Sequence, residues 1–121
     1  MERKIKFRVW DGQQIIFPDY ITNGGIAYWK ENSIPECSKD TVMQFTGLLD
    51  KDGEEIYEGD IIRILDNFKG RHQISKVIFE HGRFKATPFY MNHYDYPSDF
   101  LEGLNECEVI GNIYKNPELL K

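Results

Sequence analysis

The chain has 121 residues, of which 40% are hydrophobic, 14% aromatic and 29% charged, with a net charge of −5 at pH 7. This length fits one folded domain over residues 1–121, because the charges are spread along the chain instead of forming the single-sign blocks typical of disorder. No stretch approaches the roughly 18 consecutive apolar residues of a spanning helix, and the amino terminus lacks a secretory apolar region, so we expect a cytoplasmic protein.

Alternating side chains in the first segment predict a β-strand, because successive strand residues point to opposite faces. Ile5, Phe7 and Val9 would face the core. The water-facing side would carry Lys4, Lys6, Arg8 and Trp10. Asp11-Gly12 then predicts a two-residue type I′ turn, whose central residues both need a positive φ. A second strand near residues 14–17 would end at Pro18.

Residues 18–41 give weaker signals, with Gly24-Gly25 and Pro35 as interruptions. We expect a long connection with at most a short edge strand from Ile26 to Trp29. Connections of this length are uncommon in compact domains. The segment is therefore either a functional loop or contains secondary structure that the pattern does not reveal.

Five further strands are predicted, at Val42–Leu48, Ile61–Leu65, Gln73–Glu80, Arg83–Thr87 and Cys107–Tyr114. His81-Gly82 predicts a two-residue hairpin turn. Asn116-Pro117-Glu118 predicts a helix start, capped by the Asn116 side chain and limited to about one turn. The pattern favours an all-β or mainly β fold, either a small curled barrel or a two-sheet sandwich of short antiparallel strands with a short C-terminal helical turn.

The segment Thr46–Ile62, here called the acidic signature, contains six acidic residues and three glycines. A calcium-loop register that begins at Asp50 puts Glu55 at the required glycine and Ile61 at the bidentate glutamate, which disfavours calcium binding. A pair of catalytic carboxylates would need environments that separate their pKa values, and nothing in the sequence predicts such burial. The favoured interpretation is turn chemistry, in which glycines supply positive φ and Asp side chains bond the turn backbone.

The cysteines and histidines give no metal motif. Cys37 and Cys107 are not part of a C-x-x-C pair, and we interpret both as packing residues. The histidines at positions 72, 81 and 93 are too scattered for a ligand set. We therefore expect neither a metal nor a cofactor.

Residues 68–85, here called the basic hairpin, carry four more basic than acidic side chains. Small β-barrels bind nucleic acid through basic grooves interleaved with aromatic residues. The candidate nucleic-acid-binding residues are Lys69, Arg71, His72, Lys76, Arg83 and Lys85. The acidic net charge and the ordinary solvation of Lys and Arg on strand faces weigh against this function.

An irregular aromatic-rich segment follows the basic hairpin. Tyrosines are enriched at protein interfaces because they bury a large area and keep a polar tip. The candidate partner-binding residues are Tyr90, Tyr94, Tyr96 and Phe100. The alternative is that they only cover an open end of the barrel.

Three motifs in chain order resemble the YopX family of bacteriophage and prophage proteins. They are "IKFRVWD" (Ile5 to Asp11), "MQFTGLLDKDGEEIYEGDII" (Met43 to Ile62) and "EVIGNIYKNPELL" (Glu108 to Leu120). The resemblance implies a small, mostly β, phage-encoded protein in the host cytoplasm. It implies no catalytic or ligand residues, so no site is carried over.

The function that we expect is that of a non-enzymatic accessory protein, which binds an unknown host or phage protein. A homo-oligomer is a further expectation, because exposed strand edges can pair with another chain. One alternative is a nucleic-acid-binding β-barrel that uses the basic hairpin. The other is a metal-dependent hydrolase that uses the acidic turns.

Overall fold

The structure is a computed structural model that describes residues 4–29, 32–33, 41–66, 71–87 and 107–120. Its regular structure is mostly β-strand, and a 3-10 turn spans Pro117–Leu120. The strands are β1 (Phe7–Trp10), β2 (Ile15–Ile16), β3 (Tyr20–Ile21), β4 (Ala27–Trp29), β5 (Asn32–Ser33), β6 (Val42–Leu49), β7 (Glu55–Tyr57), β8 (Asp60–Asp66), β9 (Arg71–Glu80), β10 (Arg83–Thr87) and β11 (Cys107–Asn112). The mainly β fold predicted from the sequence is confirmed.

The chain divides into two compact units, Met1–Phe45 and Thr46–Lys121. In the first unit, β1 pairs antiparallel with β2 and with the beginning of β6. A separate antiparallel sheet has the order β3-β4-β5. The buried residues Val9 and Ala27 form the centre of this unit's core, which Ile16, Ile21 and Val42 complete. One domain over residues 1–121 stays a prediction.

The faces of β1 differ from the prediction. Val9 is fully buried as expected, but Ile5 is 61% exposed and Phe7 is 39% exposed. Arg8, predicted to face water, is only 8% exposed, and its Nη2 donates to Met43 Sδ at 3.6 Å. Met43 lies opposite Arg8 on β6 and is itself buried. Alternation predicts which residues share a face of the strand, but not which face is buried. The prediction was wrong because this sheet buries side chains on both faces, Val9 on one and Arg8 on the other.

The turn after β1 is also longer than predicted. Val9 pairs with Ile16, and Trp10 pairs with Ile15, so four residues join the strands. Asp11 Oδ1 accepts hydrogen bonds from the backbone N–H groups of Gln13 and Gln14, each at 2.8 Å. The hairpin itself is confirmed, but the type I′ turn is wrong. The Asp11 carboxylate stabilises the wider loop.

Residues 18–41 contain more structure than the sequence indicated. The strand expected at residues 26–29 is confirmed as β4, but it is not an edge strand, because it pairs with β3 on one side and β5 on the other. The turn from β3 to β4 is closed by a hydrogen bond of 2.9 Å from Gly25 N to Thr22 O, with Gly25 at a φ of 82°. Asn23-Gly24 at the centre of this turn is a hairpin signal that the prediction did not use.

In the second unit, four strands form a curled half-barrel sheet in the order β10-β9-β8-β11. One face of this sheet supplies most of the unit's core, and Ile56 from β7 completes it. The buried residues of this cluster are Ile56, Ile62, Ile64, Val77, Ala86 and Cys107. The packing role predicted for Cys107 is confirmed, while Cys37 lies outside the described residues.

The β9–β10 hairpin has the predicted two-residue turn. His81 and Gly82 have φ angles of 55° and 81°, as a type I′ turn requires. At the chain end, the predicted helix is the 3-10 turn Pro117–Leu120, which lies against β9. Its cap was predicted wrongly: Asn116 Oδ1 accepts from Asn112 N at 3.2 Å, because the side chain turns back toward β11.

Across the described part of the chain, no helix combines the length and apolar content needed to cross a membrane.

Candidate functional site

Asp50 is the structural centre of the acidic signature. It is 7% exposed, and its backbone carbonyl closes a turn by accepting from Gly53 N at 3.1 Å. Its carboxylate Oδ1 accepts from Asp52 N at 2.8 Å and from Glu54 N at 2.9 Å. Oδ2 accepts from Val109 N on β11 at 3.0 Å. Both carboxylate oxygens are therefore engaged by backbone donors, one of them in a distant strand.

The electrostatics of Asp50 follow from these bonds. Burial disfavours its charged form, but the N–H groups of Val109, Glu54 and Asp52 outweigh that effect and hold the pKa of Asp50 below its usual range. Burial, and secondarily the charge of Asp50, raises the pKa of the Cys107 thiol. Asp50 is therefore an ionised structural acceptor, and Cys107 is a protonated packing residue.

A charged cluster joins the same turn to β11. Glu108 lies 3.2 Å from Lys51 Nζ and also contacts the guanidinium of Arg63, its cross-strand partner on β8. The hydrogen bond from Lys51, together with the charge of Arg63, lowers the pKa of Glu108, and Glu108 in turn raises the pKa of Lys51. The backbone of Lys51 donates to Cys107 O at 3.0 Å. The turn is thus attached to β11 by backbone and side-chain contacts.

The second turn of the acidic signature uses Asp60 in a similar way. Asp60 is 1% exposed, and its Oδ2 accepts from Tyr57 N at 2.8 Å. Gly59, at a φ of 87°, donates to Val77 O at 2.8 Å. Glu55 Oε1 accepts from the Tyr57 hydroxyl at 3.4 Å. The turn interpretation of this segment is confirmed for both buried aspartates.

The described residues contain no group of three or more His, Cys, Asp or Glu side chains placed to hold a metal ion. In the calcium register, the first ligand would be Asp50, whose oxygens already accept three backbone hydrogen bonds.

The strand register brings three candidate nucleic-acid-binding residues to one face of the β9–β10 hairpin. Lys76 pairs with Thr87, Lys85 pairs with Ile78, and Arg83 pairs with Glu80. Residues that alternate along a strand share a face, so Lys76, Arg83 and Lys85 lie on the face opposite the core residues Val77 and Ala86. The shared face follows from the pairing of the two strands around the His81-Gly82 turn.

These three basic residues differ in exposure. Arg83 is exposed and Lys76 is half-buried. Lys85 is 5% exposed, and its Nζ lies 3.3 Å from Glu80 Oε1. Of the other candidates, Arg71 and His72 begin β9, and Lys69 lies outside the described residues. Among Lys76, Arg83 and Lys85, the first two are therefore more accessible to a phosphate than Lys85.

The aromatic candidates Tyr90, Tyr94, Tyr96 and Phe100 lie outside the described residues. A different aromatic surface is present on the β3–β4 hairpin. Tyr20 and Tyr28 are cross-strand neighbours whose rings stack at a centroid distance of 4.9 Å and an angle of 8°.

Ile26 lies two residues before Tyr28 and therefore points to the same face, where it extends this surface. We call the three residues Tyr20, Ile26 and Tyr28 the tyrosine face. Tyr20 is 53% exposed and Ile26 is 47% exposed. The intervening residues Ile21 and Ala27 pack in the core on the other side. Sequence reasoning missed this surface, although Tyr and Ile alternating around Asn23-Gly24 was an available signal.

These features define a class: a small antiparallel β protein whose most acidic segment folds into turns fastened to its C-terminal strand. The family model described as YopX protein matches residues 6–121, and the chain belongs to the YopX family. This confirms the resemblance read from the three motifs.

Two solved structures are similar over almost their whole length. Protein EF1440 from Enterococcus faecalis is 28% identical, with a TM-score of 0.62, and the match covers 99% of this chain and 100% of that one. Protein yopX from Bacillus subtilis is 26% identical, with a TM-score of 0.64, and the match covers 96% and 98% respectively. The comparison with curated proteins found no match.

Proposed function

We propose that this chain is a phage- or prophage-encoded accessory protein of the host cytoplasm that acts as a non-enzymatic binding module for a host or phage protein. The observation that carries the proposal is the tyrosine face. Tyrosine is enriched at protein interfaces because its ring buries a large area while its hydroxyl remains able to hydrogen-bond. A homo-oligomer would use the same kind of surface and stays a prediction.

The stacked geometry favours binding. Ordering a mobile side chain at an interface costs about 0.5–1.5 kcal/mol. Tyr20 already stacks on Tyr28, so less of its rotamer freedom remains to be lost. Ile26 adds an adjacent apolar side chain that is 47% exposed. The tyrosine face is therefore a partly preorganised, amphipathic contact surface.

The bonding of the acidic signature supports a non-enzymatic role. A general acid or base needs a carboxyl group that can reach substrate. Asp50 instead accepts three backbone hydrogen bonds, and buried Asp60 accepts one from Tyr57 N. The competing proposal, a metal-dependent hydrolase, needs these oxygens as ligands. It predicts that added divalent cations raise the melting temperature, because a ligand that binds only the folded state stabilises it.

The test is capture of partners from phage-infected host extract, followed by binding measurements with each purified partner. Tyr20→Ser removes a ring that is 53% exposed, so folding should be retained. Interface tyrosines that are hot spots contribute about 2 kcal/mol, which corresponds to roughly thirtyfold weaker binding. Phe79→Ser is the matched control, since Phe79 is 51% exposed in the second unit. A partner bound equally by the wild type and Tyr20→Ser would contradict the tyrosine face as its binding surface.

Nucleic-acid binding is the second candidate function. The observation that favours it is the register that puts Lys76, Arg83 and Lys85 on one face of the β9–β10 hairpin. A row of cations along a strand pair can follow a phosphate backbone. The ion pair between Lys85 and Glu80 reduces the charge of this row. Any complex would therefore depend mainly on Arg83 and Lys76.

Salt titration of binding to single- and double-stranded DNA tests this candidate. Each phosphate contact that is lost should reduce the slope of log affinity against log salt by about one. Arg83→Gln and Lys76→Gln should each do so, while Lys115→Gln, outside the hairpin, serves as the control. A complex whose salt dependence does not change in either hairpin variant would exclude this surface.

A further inference from the structure

We propose that Asn23 is a site of spontaneous modification, at which the side-chain amide is lost through a cyclic imide with the backbone nitrogen of Gly24, leaving aspartate or isoaspartate. This inference does not depend on the proposed function. It rests on the geometry of the turn between β3 and β4.

The turn leaves both reacting groups accessible. Asn23 and Gly24 are exposed and occupy the two central positions of the turn that Gly25 N closes on Thr22 O. The flanking bonds run from Thr22 N to Ile26 O at 2.9 Å and from Ile26 N to Thr22 Oγ1 at 3.1 Å. Within the described residues, neither the Asn23 amide nor the Gly24 N–H takes part in a hydrogen bond. Both reacting groups are therefore exposed and free of competing hydrogen bonds within the described residues.

The chemistry requires only water. The Gly24 nitrogen, after losing its proton, attacks Asn23 Cγ, and the side-chain nitrogen leaves as ammonia. Water then opens the imide at one of its two carbonyls, which gives aspartate or isoaspartate. The balance is one water consumed and one ammonia released, with no change of oxidation state. Glycine favours the attack because it has no Cβ to obstruct the approach and permits a wide range of backbone angles.

The other described asparagines are held in ways that oppose this reaction. Asn32 is followed by Ser33 within β5, where the backbone is paired with β4. Asn112 uses its side-chain oxygen to accept from Tyr114 N and Lys115 N, at 3.0 and 2.9 Å.

The residue after Asn112 is Ile113, whose N–H donates to Gly59 O at 2.9 Å. Asn116 precedes Pro117, which has no N–H to attack with. The structure therefore singles out Asn23 among the described asparagines.

The modification would alter the β3–β4 hairpin. Either product adds one negative charge to the net charge of −5. Isoaspartate also inserts an additional backbone carbon into a turn that a 2.9 Å hydrogen bond closes. Tyr20 and Ile26 flank this turn, so the extra atom would disturb the tyrosine face as the protein ages.

The experiment is incubation of the purified full-length protein at neutral and mildly alkaline pH. Intact mass, peptide mapping and enzymatic methylation of isoaspartate are followed with time. We expect a gain of about one dalton, located at position 23, with an isoaspartate signal that appears faster at higher pH, because the Gly24 nitrogen must lose its proton.

Gly24→Ala is the matched variant. An added Cβ would lie 3.8 Å from Thr22 Oγ1, an ordinary contact, and Gly24 has no left-handed φ, so this variant should fold. We expect loss of the isoaspartate signal at position 23. A synthetic peptide with the same turn sequence gives the rate of isoaspartate formation in the absence of the fold.

Three results would overturn the proposal: no mass gain in the wild type, an undiminished signal in Gly24→Ala, or strong protection of the folded protein relative to the peptide.

Discussion

Replacement of Asp50 by asparagine tests how much the acidic signature stabilises the fold. The carboxylate uses both oxygens, Oδ1 for two N–H groups and Oδ2 for Val109 N. Asparagine keeps one acceptor oxygen, but its NH2 group would face another donor. One charge-assisted hydrogen bond, worth about 1.5–3 kcal/mol, is lost, and two others become neutral. We expect the free energy of unfolding to fall by about 2–4 kcal/mol.

Asp11→Asn is the matched control for this measurement. The N–H groups of Gln13 and Gln14 both donate to Asp11 Oδ1, and asparagine also supplies one acceptor oxygen. Urea unfolding followed by far-ultraviolet circular dichroism should show a large decrease in midpoint for Asp50→Asn and a small one for Asp11→Asn, with similar slopes. Equal losses in the two variants would refute the argument from the second carboxylate oxygen.

Three further predictions concern acid stability, close packing and a strained turn. The folded-state pKa of Asp50 lies below its unfolded value, so the contribution of Asp50 to the free energy of unfolding is fully present above about pH 4 and is lost as the pH falls through the folded pKa. In an acid titration, Asp50→Asn should therefore lose stability less steeply than the wild type. Gly111→Ala would put a Cβ 2.5 Å from Asn116 Oδ1 and should cost about 1–3 kcal/mol, with a smaller penalty in an Asn116→Ala background, as measured by a double-mutant cycle. His81→Val should cost about 1–2 kcal/mol in thermal unfolding, because His81 has a φ of 55°, whereas His81→Asn should be tolerated.

The elements that were predictable from sequence depend on neighbouring residues. The β9–β10 hairpin is specified by two adjacent residues that both adopt positive φ. The bond from Val109 to Asp50 joins positions 59 residues apart, and no local pattern indicates it. Likewise, the burial of Arg8 depends on a strand that pairs with it from residues 42–44. Local rules thus predict turns and strands, while the covering of each face depends on distant parts of the chain.

For the candidate surfaces too, the sequence predicts which residues share a face but not which of them are buried. The alternation of Lys76, Arg83 and Lys85 about a predicted turn correctly indicates a shared face, but the burial of Lys85 does not follow from it. The tyrosine face could have been predicted, because Tyr20 and Tyr28 each lie four residues from Gly24, the middle residue of the loop that joins β3 and β4. The tyrosine face was not predicted because residues 18–41 were expected to form one long connection, without a β3–β4 hairpin.

The attachment of Asp50 and Lys51 to β11 has a consequence for solubility. In its sheet, β11 is the last described strand, and the outward N–H and C=O groups of such a strand can recruit a strand from another molecule. Here the outward Val109 N–H is bound by a carboxylate, and the outward Cys107 C=O accepts from Lys51 N. An incoming strand would have to displace both and approach a negative charge. The contacts of Asp50 and Lys51 with β11 should therefore oppose edge-to-edge aggregation. We expect a variant that loses these contacts but still folds to self-associate as its concentration rises.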